Sequence, residues 1–174
     1  MNRDAVISEC GLYRYSLTRD DGAARQINWR KTLVFALNNP SIADHKIDDP
    51  TARRGWGYVL SWGYWRMIFV NTNPHRSTDP ASAILPPEEI LRENDGHLLW
   101  AAKQADLIIC AWGTKARPEL AVRAVKILSS VRPLHVLALS KDGIPKHPLY
   151  LKGDLQPQLW KPQAALALAG GEGE

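Results

Sequence analysis

The residues best suited to chemistry lie in four polar segments, each of which comes after an apolar run. Residues 38–41 read Asn-Asn-Pro-Ser, and residues 71–74 read Asn-Thr-Asn-Pro. Residues 112–115 read Trp-Gly-Thr-Lys, and residues 146–152 place a His-Pro pair between two lysines. Amides and a histidine orient water and exchange hydrogen bonds with a reacting group. Lysines beside an aromatic side chain suit a phosphate backbone and an unstacked base.

The apolar runs predict a fold that brings these segments together. Buried strands are predicted at 31–37, 67–70, 107–111 and 134–139. Helical patterns separate them at 50–62, 87–104 and 116–130. This alternation predicts a three-layer α/β/α fold with a mostly parallel, four-stranded central sheet, to which residues 10–17 add an edge strand. The four polar segments then lie at the carboxyl edge of the sheet, where such proteins bind ligands.

The chain of 174 residues is long enough to bury a core, and we predict one domain over 1–168 with a flexible tail at 169–174. Its first residues lead into no long apolar run, and no stretch approaches the roughly 20 residues of a membrane helix. We therefore expect a cytoplasmic monomer without a membrane partner. The net charge of +4 permits a nucleic-acid partner but is weak evidence for one.

The common cofactor sites have no signature in the sequence. There is no glycine-rich phosphate loop and no Gly-x-Ser-x-Gly elbow, and Cys10 and Cys110 lie far apart. We predict neither a cofactor nor a metal. The acidic residues of 44–49 leave one alternative open, a divalent cation held by carboxylate oxygens. The competing interpretation is that Asp49 caps a helix that begins at Pro50.

In chain order, the four segments resemble the motifs of the uracil-DNA glycosylase superfamily. Asn39-Pro40 resembles the first motif, which presents the residue that positions the attacking water. Asn71 resembles the strand-end asparagine that reads a flipped pyrimidine, and residues 111–116 are similar to the Trp-Gly-x-x-Ala segment. Residues 147–151 resemble the final His-Pro loop.

The superfamily resemblance implies a monofunctional DNA glycosylase, which flips a base out of the duplex and hydrolyses its N-glycosidic bond. Asn39 would position the water, with Asp44 as the alternative, and His147 would hydrogen-bond the departing base. The implied base contacts are Asn38, Pro40, Ser41 and Asn71. The implied contacts to double-stranded DNA are Lys115, Lys146, Tyr150, Leu151 and Lys152.

A second and closer resemblance is to a bacterial and phage domain family of unknown function, through residues 37–44, 49–51 and 141–150. In the uracil-specific relatives a tyrosine follows the Asp-Pro pair and blocks substituents at position 5 of the pyrimidine, whereas here the residue is Ser41. The resemblance therefore implies a bulky 5-modified substrate, such as the glucosylated hydroxymethylcytosine of phage DNA, and a role in defence against phages. Three alternatives stay open: a uracil or mismatch repair glycosylase, a metal-dependent nuclease and a non-catalytic nucleic-acid-binding domain.

Overall fold

A computed structural model describes residues 1–22 and 30–162, in which a seven-stranded sheet lies between helices. The strands are β1 (Asn2–Ile7), β2 (Arg14–Asp20), β3 (Thr32–Leu37), β4 (Arg66–Asn71), β5 (Leu107–Cys110), β6 (Leu134–Val136) and β7 (Gln158–Trp160). The helices are α1 (Pro50–Ser61), α2 (Glu88–Gln104) and α3 (Pro118–Ser129), with 3₁₀ turns at Pro80–Ser82 and Pro148–Tyr150. None of these helices has the length and apolarity to cross a membrane. The tail predicted at 169–174 lies outside the described residues.

The predicted α/β class is confirmed, and the four predicted buried strands run parallel at the centre of the sheet. In the order β1-β2-β4-β3-β5-β6-β7, the pairs β4–β3, β3–β5 and β5–β6 are parallel. Helix α1 packs on one face of the sheet, and α2 and α3 pack on the other. The loops after β3 and β5 therefore diverge to opposite faces, and the gap between such loops is the usual ligand crevice of an α/β sheet.

The prediction of a mostly parallel sheet of only four strands is wrong, because three antiparallel strands extend it. β1 and β2 pair antiparallel beside β4, and β7 pairs antiparallel with β6. The edge strand predicted at 10–17 corresponds to β2, which lies inside the sheet between β1 and β4. Sequence patterning misses β1 because most of its residues are exposed and half of them are polar or charged, so they form no apolar run.

Each central strand contributes to two cores, because successive side chains point to opposite faces. In β3, Leu33 and Phe35 pack towards α1, whereas Val34 and Ala36 pack towards α2 and α3. Strands β4 and β5 alternate in the same way. Burial on both faces explains why these strands appear in the sequence as continuous apolar runs.

We expect the replacement Gly55→Ala to destabilise the protein, because α1 lies unusually close to β4 at this residue. A Cβ at Gly55 would approach Cζ of Phe69 to 2.6 Å and Sδ of Met67 to 2.7 Å. Overpacking of this kind costs about 1–3 kcal/mol. Gly57→Ala is the matched control, because a Cβ there meets nothing within 4 Å and should stabilise the helix by about 1 kcal/mol. Urea unfolding of both variants measures the difference, and equal free energies of unfolding would contradict the tight contact.

Candidate active site

Loops at the carboxyl edge of the sheet enclose a cleft of about 720 Å³. Most of the predicted site residues line it, namely Asn38, Asn39, Ser41, Lys115, Lys146, His147, Tyr150 and Leu151. The cleft wall also includes residues that are not among the predicted site residues, such as Asp49, Thr51, Ser77, Trp112, Thr114 and Ser140. The diverging loops after β3 and β5 thus form a site together with the loop after β6.

The amide of Asn39 is held in a fixed orientation by neighbouring polar groups. Its Nδ2 donates to the carbonyl oxygen of Ser77 at 2.9 Å, and its Oδ1 accepts from Nδ2 of Asn38 at 3.2 Å. The loops after β3 and β4 are also joined by backbone hydrogen bonds, from Thr72 to Leu37 and from Asn73 to Asn38, each 2.8 Å long. The structure therefore presents Asn39 at the cleft wall as a positioned amide.

Two buried arginines of β2 hold the loop that connects β3 to α1. Arg14 Nη1 donates to the carbonyl oxygen of Ala43 at 2.6 Å. Arg19 donates to Oδ1 of Asp48 at 2.8 Å and to the carbonyl oxygen of Asp44 at 2.5 Å. Burial lowers the pKa of Arg14 to about 10, which still leaves the side chain charged at neutral pH. Sequence reasoning missed both residues, because arginines are mostly exposed and the partners of these two lie in a distant segment of the chain.

Asp49 has a structural role and also faces the cleft. Its Oδ1 accepts from the backbone N–H of Ala52 at 2.7 Å, and Pro50 is the first residue of α1, so the predicted helix start is confirmed. The residue is only 6% exposed, yet it lines the cleft. The sequence interpretation considered Asp49 as a helix cap or as one ligand of a divalent cation, and it did not include Asp49 among the predicted site residues.

His147 lines the cleft as a neutral imidazole. Its Nδ1 accepts from the backbone N–H of Leu149 at 3.4 Å, so the neutral ring carries its proton on Nε2. Burial lowers the pKa of His147 below its usual range, and the negative charge of Asp49 opposes part of this shift. His147 is therefore a hydrogen-bond donor through Nε2 at physiological pH.

The loop that carries His147 is fixed from two sides. Gly113 donates its N–H to the carbonyl oxygen of Pro145 at 2.8 Å, and its φ of 76° favours glycine. From α1, Arg54 donates to the carbonyl oxygen of Leu151, and Tyr58 Oη donates to that of Lys152 at 2.7 Å. The sequence prediction placed both residues in a helix but could not identify these partners, which are almost a hundred residues away along the chain.

Four predicted site residues do not line the cleft, namely Pro40, Asp44, Asn71 and Lys152. Oδ1 of Asp44 accepts the backbone N–H groups of Lys46 and Ile47, and these hydrogen bonds lower the pKa of its carboxyl group. Asn71 is fully buried at the end of β4. In this conformation, neither side chain has access to a ligand in the cleft.

The carboxylates of residues 44–49 have partners other than a metal. Asp44 organises its own turn, Asp48 pairs with Arg3 and Arg19, and Asp49 caps α1. Over residues 1–22 and 30–162, no three His, Cys, Asp or Glu side chains come together as a metal site would require. The alternative of a metal-dependent nuclease therefore has no ligand set within this part of the chain.

One family model, described as a protein of unknown function (DUF1643), matches residues 14–149 of the chain. The chain belongs to this family. The match confirms the expected domain family of unknown function, and in this DUF1643 protein it extends from Arg14 in β2 to the loop that carries His147. Searches of curated proteins and of solved structures found no match.

We expect Asp49→Asn to lower the pKa of His147 further, because the variant removes the negative charge that favours the imidazolium. Asparagine caps a helix as well as aspartate does, so α1 should stay intact. The measurement is a pH titration of the His147 ring signals by NMR. Asp44→Asn is the control and should leave the titration unchanged. A pKa of His147 that does not move in Asp49→Asn would contradict the proximity of the two side chains.

Proposed function

We propose that the cleft is the active site of a monofunctional DNA glycosylase, which excises a flipped, modified pyrimidine and leaves an abasic site. The observation that carries this proposal is the position of the His147 imidazole, a neutral donor, in the same cleft as the oriented amide of Asn39. An amide and a neutral histidine suit a reaction in which water is positioned and a leaving group gains negative charge.

The chemistry of the N–glycosidic bond agrees with this set of groups. As the bond breaks, negative charge develops on the base, and a donor aimed at a base oxygen stabilises that charge. Nε2–H of His147 would serve as this donor. Asn39 would orient the water without taking its proton, because an amide is not a base at neutral pH. This reaction proceeds without a resident cofactor when the base is held outside the duplex.

The size and rim of the cleft favour a nucleic-acid substrate with an enlarged base. The cleft volume of about 720 Å³ lies within the usual range of about 300–1,000 Å³ for small-molecule sites. This volume is larger than a flat pyrimidine needs. Ser41 lines it where the uracil-specific relatives carry a tyrosine. At the rim, Tyr150 is 85% exposed, and Lys115 and Lys146 lie in the same cleft. An exposed ring beside lysines suits a displaced base and the flanking phosphates.

The resemblance to the uracil-DNA glycosylase superfamily supports the same proposal. Three of the four resembling segments, around Asn39, Trp112 and His147, contribute side chains to the cleft. The fourth segment, at 71–74, does not line the cleft, although Ser77 and Thr78 further along the same loop do. Three of the four motifs thus contribute to one surface.

The test presents matched duplexes that contain uracil, a thymine mismatch, 5-hydroxymethylcytosine or glucosylated 5-hydroxymethylcytosine. Strand breaks are counted before and after alkali, with and without EDTA. We expect EDTA-resistant abasic sites that break only after alkali, most of them in the glucosylated duplex. Activity confined to uracil would indicate a repair enzyme, direct breaks that EDTA abolishes would indicate a nuclease, and a gel shift without product would indicate a binding domain.

We expect Asn39→Ala to reduce single-turnover excision by ~10²-fold or more, because the water loses its oriented amide. Binding of the duplex should change little, since the rim lysines are retained. Thermal unfolding of the variant separates lost chemistry from lost folding, because Asn39 also bonds Ser77. A folded Asn39→Ala protein that excises within about threefold of the wild-type rate would remove Asn39 from the mechanism.

We expect Lys146→Ala/Lys152→Ala to make DNA binding less sensitive to salt. Each lost phosphate contact reduces the slope of log affinity against log salt by about 0.9 for duplex DNA, so the double variant should lose nearly two units. Lys103→Ala/Lys126→Ala is the matched control, because these exposed lysines lie on α2 and α3, outside the loop that carries His147. An equal slope in the two double variants would place the DNA elsewhere.

A further inference from the structure

We infer that Asp49 is a catalytic carboxylate, which takes the proton of the attacking water and faces the positive charge that develops on the sugar. This inference rests on the proposed glycosylase function and assigns to Asp49 the step that an asparagine cannot perform. Neither the family description nor the resemblance of the first motif gives Asp49 this role.

The two oxygens of the Asp49 carboxylate have different environments. Oδ1 is fixed by the N–H of Ala52 at 2.7 Å. Oδ2 has no hydrogen-bond partner within residues 1–22 and 30–162. This oxygen is also not fully buried, so a ligand can reach it. Because the residue as a whole is only 6% exposed and lines the cleft, the accessible oxygen faces the cleft. The cap therefore holds the carboxylate in one orientation with a lone pair available to a ligand.

The other candidates of this loop are occupied or lack the chemistry. Asp44 is engaged by two backbone N–H groups and does not line the cleft. Asp48 is bound by Arg19 at 2.8 Å and by a second arginine. Asn39 lines the cleft, but its amide cannot accept a proton at neutral pH. Within the loop between β3 and α1, the remaining carboxylate on the cleft wall is Asp49.

The carboxylate of Asp49 lies in a positive electrostatic environment. It lies at the N-terminus of α1, where the unpaired N–H groups and the helix dipole attract negative charge. Its charge also interacts with the buried guanidinium of Arg14 and with His147. An anion and a neutral donor that line the same cleft match the two charges that the reaction creates, positive on the sugar and negative on the base.

The proposed step conserves atoms and charge. Water, oriented by Asn39, adds to the anomeric carbon as the bond from that carbon to the base nitrogen breaks. The electron pair of this bond leaves with the base, whose oxygen accepts the hydrogen bond from Nε2–H of His147. The proton of the water passes to Oδ2 of Asp49 and is later exchanged with solvent, which protonates the base. The products are the free base and the abasic sugar with a hydroxyl group.

The first test compares single-turnover excision by Asp49→Asn and Asp106→Asn. Both replacements remove one negative charge and both retain an oxygen that accepts a backbone N–H, but Asp106 bonds Thr32 at the opposite edge of the sheet. We expect a loss of ~10²-fold or more for Asp49→Asn and a rate within about threefold of wild type for Asp106→Asn. Asp49→Ser, which also caps a helix, takes the place of Asp49→Asn if that variant fails to fold.

The second test measures binding rather than turnover. A duplex with a positively charged pyrrolidine in place of the reacting sugar is compared with a duplex that carries a neutral tetrahydrofuran. We expect wild type and Asp106→Asn to prefer the charged duplex by at least about tenfold, and Asp49→Asn to bind the two within about threefold of each other. A merely structural cap would not produce this charge-specific difference.

The two tests distinguish an incorrect role of Asp49 from an incorrect glycosylase function. Excision or charge preference in folded Asp49→Asn equal to wild type would overturn the role of Asp49 and leave the glycosylase proposal intact. A wild-type protein that excises no base from any duplex and binds neither analogue would overturn both. Lost excision together with lost charge preference, at unchanged affinity for the neutral duplex, would support the inference.

Discussion

The buried arginines of β2 are the constraint on which the cleft depends. Arg14 and Arg19 are 2% and 1% exposed, and they reach from the sheet into the loop between β3 and α1. Burying a cation costs several kcal/mol unless it gains hydrogen-bond acceptors, and here backbone carbonyl oxygens and Asp48 provide acceptors for both arginines. Nε of Arg14 has no hydrogen-bond partner within the described residues. The loop thus offsets part of the cost of burying the arginines, and the arginines fix a loop that has no regular structure of its own.

Helix α1 connects the loop that the arginines hold to the loop that carries His147. Its first turn is capped by Asp49, at the end of the loop that the arginines hold. Its residues Arg54 and Tyr58 bind the backbone of Leu151 and Lys152. One helix thus positions both walls, the wall of Asn39 and the wall of His147, so their separation is set by a rigid element rather than by two independent loops. A site that must position water and a leaving group needs such support, because small displacements are costly in rate.

The polar segment at 71–74 does not line the cleft, whereas the other three segments do. Asn71 is completely buried, and neither Oδ1 nor Nδ2 has a partner within the described residues. Its backbone oxygen accepts from the side chain of Asn94 in α2 at 2.9 Å. A buried amide without partners costs about 1–3 kcal/mol, which makes this strand end an unfavourable place for an asparagine on packing grounds alone. Base recognition by Asn71 requires movement of the segment that covers it.

The amino-acid sequence by itself determined the α/β class, the parallel central strands and the helix start at Asp49-Pro50, because these follow from local periodicity and capping. It also placed the polar segments at one edge of a sheet, since parallel strands have that consequence. Tertiary structure alone decided that β2 is internal, that Arg14 and Arg19 bind the loop before α1, and which carboxylate faces the cleft. The physical reason is that a charged side chain in a strand looks solvent-exposed in the sequence, while its actual partners are set by packing between segments far apart in the chain.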